Sequence, residues 1–141
     1  MKPFIPVLAA TASAIVLGSV ACGDGGAGTH AGSTVTVAMN EWSMKLDRTA
    51  IPAGEITIIA KNRGAETHEL ILLKAAGASG KLVSTDGKVD EELFASPGEI
   101  EGVKPGTTKA GKLTLEPGRY LLICNLVAHY EQGMHTEITV Q

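Results

Sequence analysis

Four turn signals, Pro52-Ala53-Gly54, Pro97-Gly98, Pro105-Gly106 and Pro117-Gly118, punctuate the chain at the ends of short apolar segments. In each, Pro presets φ and Gly supplies a positive φ, the chemistry of tight turns between strands. Before the first signal, Thr34 to Met39 alternates, with Val35, Val37 and Met39 on one face. Between and after the signals lie Glu55 to Ala60, Glu69 to Leu73, Lys109 to Leu115, Arg119 to Cys124 and His135 to Val140, all of strand length. This pattern predicts an all-β chain folded as a Greek-key β-sandwich. Residues 75–104 are less regular, and Val89 to Phe94 is predicted to form a short helix. Only 4 % of the chain is aromatic, so Val, Ile and Leu must fill the core. A domain of about 110 residues buries roughly two-thirds of its unfolded surface, enough to stand without disulfides.

The first residues do not fit this pattern. Lys2 is the only charge before residue 22, an apolar stretch runs from Phe4 to Leu17, and Gly18-Ser19-Val20-Ala21 leads to Cys22. Residues 1–21 are therefore expected to be a secretory signal peptide, too short and too weakly flanked to span a bilayer. The site resembles a bacterial lipobox, with Ala21 preceding a lipid-modified Cys22, although Ser19 stands where a large aliphatic residue is usual. Lipidation at Cys22 and plain cleavage with secretion are the two readings. Either puts the mature domain outside the cytoplasm, in the periplasm or on the outer face of the cytoplasmic membrane. Residues 22–32 are Gly-rich and cannot bury a core, so they are expected to form a flexible tether, with His30 solvated, ahead of a domain at 33–141.

Charge and cysteine content narrow the function. A net charge of -3 without a basic patch argues against nucleic acid as a partner. The chain has two cysteines, the default for one disulfide in an exported protein. One, however, sits at the processing site, and the other lies beside His and Met in a ligand-like loop. A disulfide there would destroy the thiolate, so none is expected.

That loop reads Cys124-Asn-Leu-Val-Ala-His129-Tyr-Glu-Gln-Gly-Met134, and His68 stands far upstream in Asn-Arg-Gly-Ala-Glu-Thr-His-Glu-Leu. Singly, each residue has a blander reading: a hydrogen-bonded His, a small buried Cys, a core Met. Together, two His, one Cys and one Met form the soft, mixed ligand set of a mononuclear blue-copper site. Cys124 would supply the short Cu–S bond, His68 and His129 complete a trigonal plane, and Met134 a long axial contact. Structural zinc usually recruits more cysteines. His68 shares strand parity with Leu70 and Leu72, and Cys124 with Tyr120 and Leu122, so both ligands face the core at one pole.

On these residues the chain resembles the cupredoxin family over roughly residues 33–141, and its Cys-x4-His-x4-Met loop is most similar to rusticyanin and sulfocyanin-type members. Asn62 stands where many cupredoxins carry an Asn before the first ligand, and Asn125 and Gly133 match the family's loop. Ala128 replaces a frequent Gly, and Glu69 replaces a small polar residue that pins the cysteine loop. The resemblance implies supporting roles for Asn62, Glu69 and Asn125. It also implies an exported, non-enzymatic carrier of single electrons that cycles one copper ion between Cu(II) and Cu(I). The exposed edge of His129, ringed by Leu126, Val127 and Ala128, would be the exit. A c-type cytochrome or a membrane electron-transfer complex would be the partner. The competing readings are a copper chaperone or storage module, and a nitrosocyanin-like red copper protein with Glu131 as ligand. His135, beside Met134, is expected to point the opposite way.

Overall fold

The computed structural model describes residues 32–75 and 82–141. The expected signal peptide, Cys22 and all of the tether except Gly32 lie outside the described residues. Among the described residues, no helix is long and apolar enough to cross a membrane.

Two sheets form a sandwich. The first is four-stranded, in the order β2 (Ser43–Leu46), β1 (Ser33–Asn40), β4 (Gly54–Asn62), β9 (Thr108–Leu115). The second is five-stranded, in the order β3 (Ala50–Ile51), β11 (His135–Val140), β10 (Gly118–Ile123), β5 (His68–Lys74), β8 (Gly98–Val103). β1 pairs parallel to β4 and β3 parallel to β11, while the remaining pairs in both sheets are antiparallel. A separate hairpin joins β6 (Ser84–Thr85) to β7 (Lys88–Val89).

Alternation decides what faces inward. Val35, Val37 and Met39 of β1 meet Ile56, Ile58 and Ala60 of β4 on the inner face of the first sheet. Leu70, Leu72, Tyr120, Leu122, Ile138 and Val140 close the core from the second sheet. β5 and β10 are buried on both faces, which is why they read as unbroken apolar runs rather than alternating ones. Their outer side chains, Ile71, Leu73, Leu121 and Ile123, make a second cluster with Val89 and Tyr130, flanked by Leu82 and Phe94. The irregular segment therefore packs over the outer face of the second sheet.

The predicted helix at Val89–Phe94 reduces to a single 3-10 turn, Glu91–Leu93. Asp90 caps it by accepting from Glu92 N at 3.2 Å, and Phe94 is already extended. β8 escaped the sequence reading because its inward residues, Ile100 and Val103, do not follow a period of two. The register shift against β5 between His68 and Leu70 accounts for the odd spacing.

Candidate metal centre

His68 opens β5 and points into the sandwich with the same parity as Leu70 and Leu72, fully buried. The chain reaches it through a tight loop organised by Asn62, the last residue of β4. The Asn62 amide donates to Glu66 O at 2.6 Å and to Val103 O at 2.8 Å, and accepts from Gly64 N at 2.8 Å. A buried side chain thus stands in for strand pairing where β4 ends, and ties the loop to β8.

Cys124 follows directly on β10 and is a free, buried thiol. The segment after it winds back on itself. His129 N donates to Leu126 O, Gly133 N to Tyr130 O, Met134 N to His129 O, and Cys124 N to Met134 O at 3.0 Å, closing the loop at its base. Gly133 has φ +116, and a Cβ there would lie 3.1 Å from Trp42 O, so both backbone and neighbour favour glycine.

These two segments bring three ligand side chains together. His68 Nδ1 lies 3.3 Å from His129 Nδ1, and Cys124 Sγ lies 3.3 Å from the same nitrogen. The ligand atoms of His68, Cys124 and His129 all fall within 4.8 Å of one another. Met134 is fully buried in the same loop, one residue from Gly133. The electrostatics suit a cation. Burial pushes the Cys124 thiol up, and burial, followed by neighbouring His68, pushes His129 down. Burial thus disfavours both a charged His129 and a bare thiolate, and a positive ion beside them would favour the thiolate. One thiolate, two imidazole nitrogens and an adjacent thioether residue form a donor set that fits copper.

The supporting shell is tight around the cysteine. Glu69 N donates to Cys124 Sγ at 3.5 Å, while the Glu69 carboxylate accepts from Asn125 N at 3.1 Å, so one residue grips both sides of the thiol. Half-burial raises the Glu69 carboxyl. Asn125 accepts from Val89 N at 2.7 Å and donates to Val89 O at 2.9 Å and to Glu91 Oε1 at 2.5 Å. The β6–β7 hairpin and the residues leading into it add three further links to the loop. Ala128 N donates to Gly87 O, Leu82 N donates to the Tyr130 hydroxyl at 2.7 Å, and the Ser84 hydroxyl donates to Glu131. Glu131 is exposed and engaged with Ser84, and His135 is exposed with its ring 5.0 Å from Tyr130.

Three residues at the centre were not singled out from the sequence. Glu41 Oε1 lies 3.1 Å from His68 Nε2 and accepts from Ala65 N and Glu66 N at 2.9 Å each. The Glu66 amide above all holds the Glu41 carboxyl at about 2, with Ala65 and His68 adding to the effect. Trp42 meets His129 edge-on, with ring centroids 4.9 Å apart and planes at 76°. Glu66 Oε2 lies 3.5 Å from His129 Nε2. The edge of His129 is consequently not open as expected: the residue is only 8 % exposed, whereas Val127 beside it is 64 % exposed. The one signal for this corner was the chain's single Trp next to an acid, immediately after an alternating strand.

The sulfocyanin (SoxE) domain family matches residues 28–141. Among solved structures, the chain is similar to a dithionite-reduced auracyanin from the photosynthetic bacterium Roseiflexus castenholzii. The TM-score is 0.57 at 24 % identity, covering 77 % of this chain and 97 % of that one. Auracyanin B superposes with a TM-score of 0.57 at 20 % identity, covering 77 % and 88 %. Auracyanin A, a "blue" copper protein from the green thermophilic photosynthetic bacterium Chloroflexus aurantiacus, gives 0.53 at 22 % identity, covering 77 % and 100 %. No curated protein sequence matches the chain at a significant level. The three structural likenesses speak to the fold, and the family match to membership: the chain belongs to the sulfocyanin (SoxE) domain family.

Proposed function

We propose, starting from that membership, that this protein is an exported blue-copper electron carrier with His68, Cys124, His129 and Met134 holding one copper ion. The observation that carries the reading is the convergence of one thiol and two imidazole Nδ1 atoms in a buried pocket at one pole of a rigid sandwich. A copper ion held there supplies a one-electron Cu(II)/Cu(I) couple. The chain's own residues do the rest. Cys124 and His129 are fixed by the loop's internal hydrogen bonds, Glu69 and Asn125 pin the cysteine side, and the apolar walls keep bulk water away. An arrangement held from both sides need not rearrange when the charge changes, which suits electron transfer better than ion delivery.

The exit for the electron runs past the His129–Trp42 corner, beside the exposed Val127. A small apolar contact there fits a brief encounter with a redox protein such as a c-type cytochrome or a membrane electron-transfer complex. Residues 1–21 act as signal peptide, residues 22–32 as tether from a lipid-modified or free Cys22, and 33–141 as the copper domain in the periplasm or on the outer face of the cytoplasmic membrane. No enzymatic role is proposed.

The test is the visible spectrum of the copper-loaded protein. An intense sulfur-to-copper charge-transfer band is expected, and a nearly colourless Cu(II) form would end the reading. Replacing Met134 with Gln is expected to lower the potential and with Leu to raise it, since the axial donor is a tuning lever. If Glu131→Gln shifts spectrum and potential more than either, the axial ligand is Glu131 instead.

A further inference from the structure

Glu41 reaches the centre from the β1–β2 turn, whose next residue, Trp42, packs on His129. Its Oε1 gathers His68 Nε2, Ala65 N and Glu66 N, so one carboxylate oxygen holds both the imidazole and the loop that delivers it. The neighbouring backbone makes room for it. A Cβ on Gly64 would lie 2.2 Å from Glu41 Oε1 and 2.6 Å from its Cδ. Gly64 lies outside the left-handed region, so its backbone does not demand glycine. Space for the carboxylate does.

The other carboxylates nearby are placed differently. Glu66 stands 3.5 Å from His129 Nε2, beyond good hydrogen-bond length, with its side chain 55 % exposed, so solvent and salt screen its charge. Glu69 spends its oxygen on Asn125 N and touches the sulfur only through its backbone. Glu41 alone of the three has its carboxylate hydrogen-bonded to a ligand ring.

We propose that Glu41 is a positioning residue of the metal centre. It holds His68 as the Nε2–H tautomer with Nδ1 free for the metal, and its negative charge favours the more highly charged Cu(II) over Cu(I). The physical basis is that a carboxylate behind a ligating imidazole fixes the ring's orientation and raises its basicity. The inference rests on the reading of His68 as a copper ligand, and it adds a residue that sets the potential from behind that ligand.

Three variants test it. Glu41→Gln keeps the shape and an acceptor but removes the charge. Glu41→Ala removes both, and Gly64→Ala displaces the native carboxylate while Glu41 itself is unaltered. In the copper-loaded full chain, Glu41→Gln is expected to retain the charge-transfer band. It should shift the Cu(II)/Cu(I) balance toward Cu(I) by about tenfold, a rise of about 59 mV for a one-electron couple. Gly64→Ala should move the potential the same way by less. In the metal-free chain, nitrogen NMR should find His68 protonated at Nε2 in the wild type and a mixture of tautomers in Glu41→Ala. An unchanged or lowered potential in Glu41→Gln with the band intact overturns the charge role. A wild-type His68 protonated at Nδ1 overturns the positioning role. Should copper-loaded wild type show no band, the ligand reading itself fails, while the metal-free tautomers still judge Glu41.

Discussion

The two halves of the metal centre are built on opposite principles. The downstream half is local: Cys124, His129 and Met134 lie in one loop that closes on itself from Cys124 N to Met134 O. The upstream half is assembled at a distance. His68 is held by Glu41, 27 positions earlier, and its loop is tied by Asn62 to Val103, 41 positions away. Ligand chemistry can be written as a spacing, because one turn of loop presents the donors. Control of those donors here comes from residues that only the finished sandwich brings near.

The comparison can be broken most sharply at Cys124. Cys124→Ser, nearly isosteric, is expected to abolish the visible band completely while circular dichroism and the unfolding midpoint stay close to wild type. If the fold collapses too, the downstream half is structural as well as chemical.

On the upstream side, Asn62→Ala removes three hydrogen bonds, of which the one to Val103 O is buried. A loss of about 2–4 kcal/mol in denaturant unfolding is expected. Amide exchange should rise at residues 64–68 and not in the ligand loop. Equal rises in both would mean that the halves are one cooperative unit.

Tyr130→Phe probes the hairpin that straps the downstream loop. The Leu82 N–H loses its acceptor, and a cost of about 1 kcal/mol is expected. Exchange at Leu82 should quicken while the band is unaltered, because the hydroxyl bonds only Leu82 and none of the donor residues.

The smallest effect lies at the far end of β5, where Lys74 pairs with Glu116 at 2.6 Å on the surface. The lysine's hydrogen bond lowers the Glu116 carboxyl and raises Lys74 itself. A carboxyl depressed in the folded state adds stability above its unfolded value and loses it as pH falls through the folded value. Lys74→Met should therefore show a slightly lower thermal midpoint than wild type at neutral pH. The gap should close in acid, below the ordinary carboxylate range. A gap that persists there would point to packing against the Lys74 stem rather than charge.

The same contrast governs what was readable in advance. Six strands were legible because turn chemistry and apolar pattern agreed with the final fold. β8 was not, since Gly98 and Gly102 and a bulge against β5 spoil its alternation. The β6–β7 hairpin was not, and the short helix expected at Val89–Phe94 shrank to one 3-10 turn, because this segment takes its order from lying on β5 and β10 and on the ligand loop. At the centre, the spacing nominated His68, Cys124 and His129, which the fold gathers, and Glu69 and Asn125 lie beside the cysteine as sequence neighbours of His68 and Cys124. Glu41, Trp42 and Glu66 carry no such mark: their roles depend on where the β1–β2 turn lands.

Enclosure has a kinetic consequence of its own. His68, Cys124 and Met134 are wholly out of contact with solvent, and Trp42 and Glu66 cover most of His129. An ion inside such a pocket leaves only when the loop breathes, so its residence time is governed by opening events and not by affinity alone. Electrons cross a few ångströms of packed side chain without any such opening. Chelator challenge should therefore strip the metal over hours, with a rate that becomes independent of chelator concentration, while a small redox mediator equilibrates with the centre almost at once.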